Sequence, residues 1–173
     1  ISAIEHDSTR ATAAACEETI AGLRVLTAPV TRTGALNLAA FNRLLDEGKG
    51  RALVSLMAAN NETGVVQPIA RIAERVRARG VPLHVDATQA IGKIAVRLDE
   101  VPADLLSASA HKFNGPKGVA ALYLRKGQEI WPLFHGGGQE DGRRTGTENV
   151  PGIVGMGIAA QLVAENLAGR MAA

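Results

Sequence analysis

Arg51-Ala52-Leu53-Val54-Ser55-Leu56-Met57 is an apolar run of strand length, and the residues that follow it decide the fold. After a polar loop, Ile69, Ile72, Ala73 and Val76 recur at helical spacing between about Pro68 and Arg79. Pro68 suits the first turn of that helix, where its missing N–H costs nothing, and Gly80 suits its end. Pro82-Leu83-His84-Val85-Asp86 then reads as a second short strand. Apolar strands alternating with helices argue for an α/β architecture, a mostly parallel sheet with helices on both faces.

The flanking segments extend this unit. Asp104-Leu105-Leu106-Ser107-Ala108-Ser109 reads as a further strand, and Val119-Ala120-Ala121-Leu122-Tyr123-Leu124 follows so closely that the two pair antiparallel. Thr9 to Ala21 and Leu38 to Glu47 read as helices flanking Arg24-Val25-Leu26, and Gln161 to Leu167 continues a helix toward Ala173. No repeat or low-complexity linker divides the chain, so residues 1–173 read as one domain. In such sheets ligands bind beyond the carboxyl ends of the strands. Polar residues should therefore collect there, and they do: His6 after the opening run, which itself reads as strand-like, Asn60 and Asn61 after Met57, Asp86, and then Ser109, His111 and Lys112.

Composition narrows the classes of function. The chain is 46% hydrophobic and 21% charged, ordinary for a globular protein. With 19 Lys and Arg against 17 Asp and Glu, the net charge of +2 gives no footprint for nucleic acid, and no such partner is expected. Cys16 is the single cysteine, so neither an internal disulfide nor a zinc-ligand set is available, and no metal site is expected. In the Ala-rich helical stretch Ala13-Ala14-Ala15-Cys16 it reads as a small buried apolar residue. No continuous apolar run approaches the ~20 residues of a membrane span, and no signal or transit peptide is visible. A cytoplasmic location and no membrane contact are the expectations.

Lys112 sits just past a strand in Ser109-Ala110-His111-Lys112-Phe113-Asn114-Gly115-Pro116-Lys117-Gly118. Taken alone, a lysine is a solvated surface charge. Asp86, however, closes a neighbouring strand, which puts a carboxylate and an amine at the same sheet edge. That pair matches what pyridoxal phosphate requires: a carboxylate facing the protonated pyridine nitrogen and a lysine bonded to the aldehyde. Lys117, in the turn after Gly115-Pro116, is the rival anchor. The remaining polar residues also have plainer readings, His6 as a structural histidine and Asn60, Asn61 and Thr63-Gly64 as turn residues.

The segment from Ser107 to Gly118 resembles the cofactor-lysine motif of class V aminotransferase-like enzymes, and within them of the cysteine desulfurases. Three further segments agree in the family's order: Asn60-Asn61-Glu62-Thr63-Gly64-Val65-Val66-Gln67-Pro68, His84-Val85-Asp86-Ala87-Thr88-Gln89-Ala90-Ile91-Gly92-Lys93, and Gly136-Gly137-Gly138-Gln139-Glu140 through Arg144-Thr145-Gly146-Thr147-Glu148-Asn149. The opening Glu5-His6 matches as well. The resemblance implies the large, cofactor-binding domain of a fold-type I pyridoxal-phosphate enzyme, with the N-terminal segment and the C-terminal small domain absent. Beginning at Ile1 rather than methionine, the sequence is accordingly expected to be an excerpt of a longer protein.

The resemblance also implies roles. Lys112 would hold the cofactor covalently and move protons at the substrate α-carbon; it is preferred over Lys117 because the family's anchor directly follows the histidine. Asp86 would pair with the pyridine nitrogen. His6 would stack on the ring and take part in acid–base steps, and Asn61 and Gln89 would bond the ring hydroxyl. Ser109 and His111 would bind the phosphate, and Thr147 would reach the phosphate in a neighbouring subunit of a homodimer. The implied reaction takes L-cysteine to L-alanine, with sulfur passed as an enzyme persulfide to sulfur-acceptor proteins, including those of iron–sulfur cluster assembly. The family's catalytic cysteine lies on a loop beyond this chain, as does its substrate-carboxylate arginine. A selenocysteine lyase or another class V aminotransferase would share Lys112 and Asp86, and a non-catalytic fragment keeping the fold and dimer surface is the reading from a different class.

Overall fold

Val54, Leu56, Leu83, Val85 and Leu106 lie on one face of a four-stranded sheet and are buried there. The computed structural model describes residues 1–48 and 51–172. Its elements are α1 (Asp7–Thr19), α2 (Leu38–Glu47), β1 (Val54–Met57), α3 (Ile69–Arg77), β2 (Leu83–Asp86), β3 (Leu105–Ser109), a 3₁₀ turn (Ala110–Phe113), β4 (Ala120–Leu124) and α4 (Val150–Ala172). The strands lie in the order β1-β2-β3-β4, with the first three parallel and β4 antiparallel to β3. The short β3–β4 connection allows only that reversal, as the sequence implied.

The helix between β1 and β2 forms for the reason its pattern gave. Ile69, Ile72, Ala73 and Val76 are its buried residues, and they join the strand residues and Phe41 of α2 in the main core. Gly80 turns the chain out of the helix at φ +65°, a backbone conformation that costs glycine little. At the start of α2, Asn37 accepts a hydrogen bond from the Ala40 N–H at 3.1 Å, satisfying one of the helix's open donors.

The opposite face of the strands is polar at its centre. Ser55 and His84 bond through Oγ and Nδ1 at 2.8 Å, and His84 Nε2 reaches Ser107 Oγ at 3.2 Å, so one imidazole links all three parallel strands. Burial lowers the His84 pKa below the ordinary histidine value, and the nearby Asp86 charge works against that shift. A protonated ring there would lose its hydration without a carboxylate in direct contact.

Three expectations need correction. The opening run is no strand in its own right: residues 1–3 pair with the rest through a single parallel bridge, Ser2 to Ala28. Cys16 is half-buried rather than buried, because no residue of α1 is fully covered. And α4 contains a 20-residue stretch, Val150–Gly169, that is long and apolar enough to span a membrane by length and composition alone. Interspersed Gln161, Glu165 and Asn166 keep it from reading as one continuous apolar run. One side of α4 packs through Ala159 and Val163 on Ala110, Phe113 and Val119, whereas Ile153, Val154, Ile158 and Leu162 stand exposed at helical spacing.

Candidate active site

The carboxyl ends of β1, β2 and β3 lie at one edge of the sheet because the three strands run parallel, and the loops leaving that edge carry most of the expected residues. Asp86 is the last residue of β2, level with Met57 on one side and Ser107 on the other. Its carbonyl accepts from the Ala58 N–H at 2.8 Å, and its Oδ1 accepts from the Thr88 N–H at 2.9 Å. The half-buried carboxylate is thus held by the turn that follows it through Oδ1, and no hydrogen bond among the described residues occupies Oδ2.

Lys112 lies three residues beyond β3, in the 3₁₀ turn, and is half-buried. Two hydrogen bonds hold the base of that turn: Ala110 N–H to Val119 O at 3.0 Å and Gly115 N–H to Ala110 O at 2.8 Å. A Cβ at position 115 would lie 2.9 Å from the Ala110 Cβ and 3.0 Å from its carbonyl oxygen, so the turn closes this tightly only on glycine. Asn114 adopts φ +68°, and the following Gly115-Pro116-Lys117-Gly118 turn carries Lys117 out to an exposed position. Ser109 Oγ and His111 Nδ1 lie 2.8 Å apart, pairing a hydroxyl and an imidazole at the start of the turn. Their other donor positions suit an oxyanion.

His6 is exposed at the N-terminus of α1, with Nδ1 accepting the Ser8 N–H at 3.1 Å. The two adjacent asparagines separate sharply in role. Buried Asn60 sends Nδ2 to the Ile4 carbonyl at 2.9 Å and accepts the N–H groups of Glu62 and Thr63 on Oδ1. It ties the segment before His6 to the loop after β1 and shapes that loop. Asn61 is left exposed, its side chain free of hydrogen bonds among the described residues. Gln89 is half-buried in the turn after β2. Asp86, Gln89, Ser109, His111 and Lys112 are therefore gathered on neighbouring strand ends, and Asn60 brings the His6 and Asn61 segments together.

Thr147 is the exception. It is exposed on the irregular 125–149 segment, and no hydrogen bond among the described residues joins it to the cluster. Trp131, Leu133 and Phe134 on the same segment are also exposed.

One residue at this edge went unassigned in the sequence. Lys93 reaches from the turn after β2 to the 3₁₀ turn, its Nζ lying 2.9 Å from Gln89 Oε1 and 3.5 Å from the Lys112 carbonyl. The i, i+4 spacing of Gln89 and Lys93 was the available signal, but it is indistinguishable from a surface pair until the two loops are placed side by side.

Comparison with known proteins identifies the framework. The profile of the family described as "Aminotransferase class-V" matches residues 1–172. The chain is 48% identical over 168 residues to a cysteine desulfurase of Rhodobacter capsulatus, covering 97% of this chain and 42% of the relative. It is 49% identical to a cysteine desulfurase of Klebsiella pneumoniae, covering 97% of this chain and 41% of that one. Among solved structures it superposes on a NifS-like protein with a TM-score of 0.90 at 43% identity, over 96% of this chain and 45% of the other. A structure described as SspA in complex with cysteine matches with a TM-score of 0.83 at 36% identity, over 92% and 46% of the two chains. This chain thus spans less than half the length of these relatives. The match nevertheless runs through every element that builds the polar sheet edge, and on that ground the chain belongs to the class V aminotransferase family.

Proposed function

We propose that this chain is the cofactor-binding part of a pyridoxal-phosphate-dependent cysteine desulfurase. The observation that carries the reading is the convergence of Asp86, Ser109 and Lys112 at the carboxyl edge of adjacent parallel strands, in a chain 48–49% identical to two cysteine desulfurases. The donor set fits the cofactor: an amine, a carboxylate with no hydrogen bond to Oδ2 among the described residues, and a hydroxyl–imidazole pair for the phosphate. When bound, the cofactor supplies an electron-withdrawing ring that eases bond breaking at an amino acid's α-carbon.

The chain's own residues would divide the work. Lys112 anchors the cofactor and shuttles a proton at the substrate α-carbon. Asp86 keeps the pyridine nitrogen protonated. Ser109 and His111 hold the phosphate, Asn61 and Gln89 bond the ring hydroxyl, and His6, at the head of α1, lies against the ring. Thr147 contributes to the phosphate site of a second subunit in a homodimer. The 85% exposure of Trp131 and 84% exposure of Leu133 support a partner surface on that segment. We place the enzyme in the cytoplasm.

The overall reaction balances without an external oxidant. L-cysteine and an enzyme thiol give L-alanine and an enzyme persulfide, the sulfur leaving the substrate carbon for the thiolate while a proton takes its place. Cys16 is poorly suited to be that thiol: it lies in α1, ten residues after His6, and helical rise alone carries it roughly 12 Å or more from that end. The thiol would come from outside this chain, and a sulfur-acceptor protein would receive its sulfur. The test is product analysis on the whole enzyme given L-cysteine, with free-cofactor controls. Alanine and reductant-releasable sulfide in equal amounts are expected. A keto acid in place of alanine would instead mean amino-group transfer.

A further inference from the structure

We propose that Lys93 is a positioning residue: its ammonium holds the Gln89 side-chain amide by the oxygen, so that the amide turns its NH₂ group toward the cofactor's ring oxygen. The inference rests on the pyridoxal-phosphate reading above and deepens it by naming what orients one of its ligands.

The geometry leaves one arrangement. Lys93 Nζ lies 2.9 Å from Gln89 Oε1, 3.3 Å from the Gln89 carbonyl and 3.5 Å from the Lys112 carbonyl, so three oxygens surround a group with three protons to donate. An ammonium accepts nothing, so the amide atom facing it has to be the oxygen. The two N–H donors of Nε2 then point elsewhere, and no acceptor among the described residues takes them. A free Gln89 side chain would present either end. With Lys93 in place it presents only donors, which favours an acceptor opposite it and, at the ring hydroxyl, the ionised oxygen.

The platform beneath this contact is rigid. Ala87 and Ala90 are fully buried, and the turn between them closes through Ala90 N–H to Ala87 O at 2.9 Å and Lys93 N–H to Ala90 O at 3.0 Å. Gly92 takes φ +83° and approaches so closely that a Cβ there would lie 2.7 Å from the Phe113 Cβ. The backbone of the 87–94 turn is thereby fixed against the 3₁₀ turn that carries Lys112. Lys93 bridges the two where they meet. Burial lowers the Lys93 pKa below the ordinary lysine value, and the Lys112 charge adds to the effect, consistent with two amines sharing one corner of the site.

A merely structural tie between the loops would predict the same bonds, so the test has to separate the two. Lys93→Met and Lys93→Arg are made in the whole enzyme and stripped of cofactor. Binding is then measured by fluorescence quenching for pyridoxal phosphate and for its analogue lacking the ring hydroxyl. Lys93→Met should weaken pyridoxal phosphate binding about tenfold, the scale of one well-oriented hydrogen bond. Binding of the analogue should stay within about twofold, because the group that Gln89 recognises is missing, and Lys93→Arg should restore most of the loss. Because the two ligands are compared within one variant, a change in overall stability cancels. Equal weakening for both ligands, or none for either, overturns the inference. Failure of the unaltered enzyme to bind pyridoxal phosphate is a separate result and would remove the cofactor reading itself.

Discussion

Replacing Gly92 with alanine probes the junction on which the site depends, and its cost can be worked from two contributions. The first is conformational: φ is +83°, and an L-residue there costs about 1 kcal/mol more than glycine. The second is steric. The new Cβ would lie 2.7 Å from the Phe113 Cβ, well inside the ~3.5–4.0 Å at which carbon atoms rest. Phe113 cannot swing away, since its Cβ is fixed to the backbone of the 3₁₀ turn and the residue is 3% exposed. Relieving the overlap means shifting one turn, at about 1–3 kcal/mol. Gly80 supplies the control: its φ is +65° and a Cβ added there would meet nothing within 4 Å, so Gly80→Ala carries only the conformational cost. At ~2–4 °C per kcal/mol for a chain of this size, Gly92→Ala should lower the melting temperature by about 5–15 °C and Gly80→Ala by about 2–4 °C. Thermal melts followed by circular dichroism read both. Equal shifts would show that the 87–94 turn does not pack on the Lys112 turn as described.

Asp86→Asn should retain the cofactor but lose on the order of a hundredfold or more in turnover, because a neutral amide cannot hold the pyridine nitrogen protonated; near-normal turnover with the cofactor bound would remove Asp86 from that role. His84 predicts a pH dependence of stability. Its pKa is depressed by burial, so as pH falls below the unfolded value of 6.5 the unfolded chain takes up a proton that the folded ring refuses. Stability should therefore fall from about pH 6.5 downward until the folded ring titrates, and His84→Gln should flatten urea midpoints across that window. An unchanged slope in the variant would assign the dependence to other groups.

The order of strands and helices was legible because each buried face carries its own period: Ile69, Ile72, Ala73 and Val76 mark α3, and the short β3–β4 connection fixes the reversal of β4. The strands are shorter than the apolar runs that announced them. Arg51 to Leu53 precede β1, and Leu53 is 59% exposed, since a strand ends where its neighbour ends rather than where hydrophobicity does. The first turns of α4 were hidden by Gly152 and Gly155, poor helix formers. Their worth appears only in packing, where added Cβ atoms would lie 2.5 Å from the Val119 side chain and 2.7 Å from Pro116. At the sheet edge, the placement of Asp86 at the end of β2 and of Lys112 just past β3 was legible, because each follows directly from the apolar run before it. The division of labour between Asn60 and Asn61, and the bridge made by Lys93, were not, because both depend on which loops the fold sets side by side. Thr147 rests on family resemblance alone, its expected partner being a second subunit.

The proposed function turns on Lys112 as the amine that anchors pyridoxal phosphate just past β3. Borohydride reduction of the cofactor-loaded enzyme, followed by peptide mapping, reads this directly by fixing the cofactor to whichever lysine holds it. A single pyridoxyl label on Lys112 that vanishes in Lys112→Ala is the expected result. A label on Lys93, which shares the same corner of the site, or on Lys117, in the turn beyond Gly115-Pro116, would contradict it.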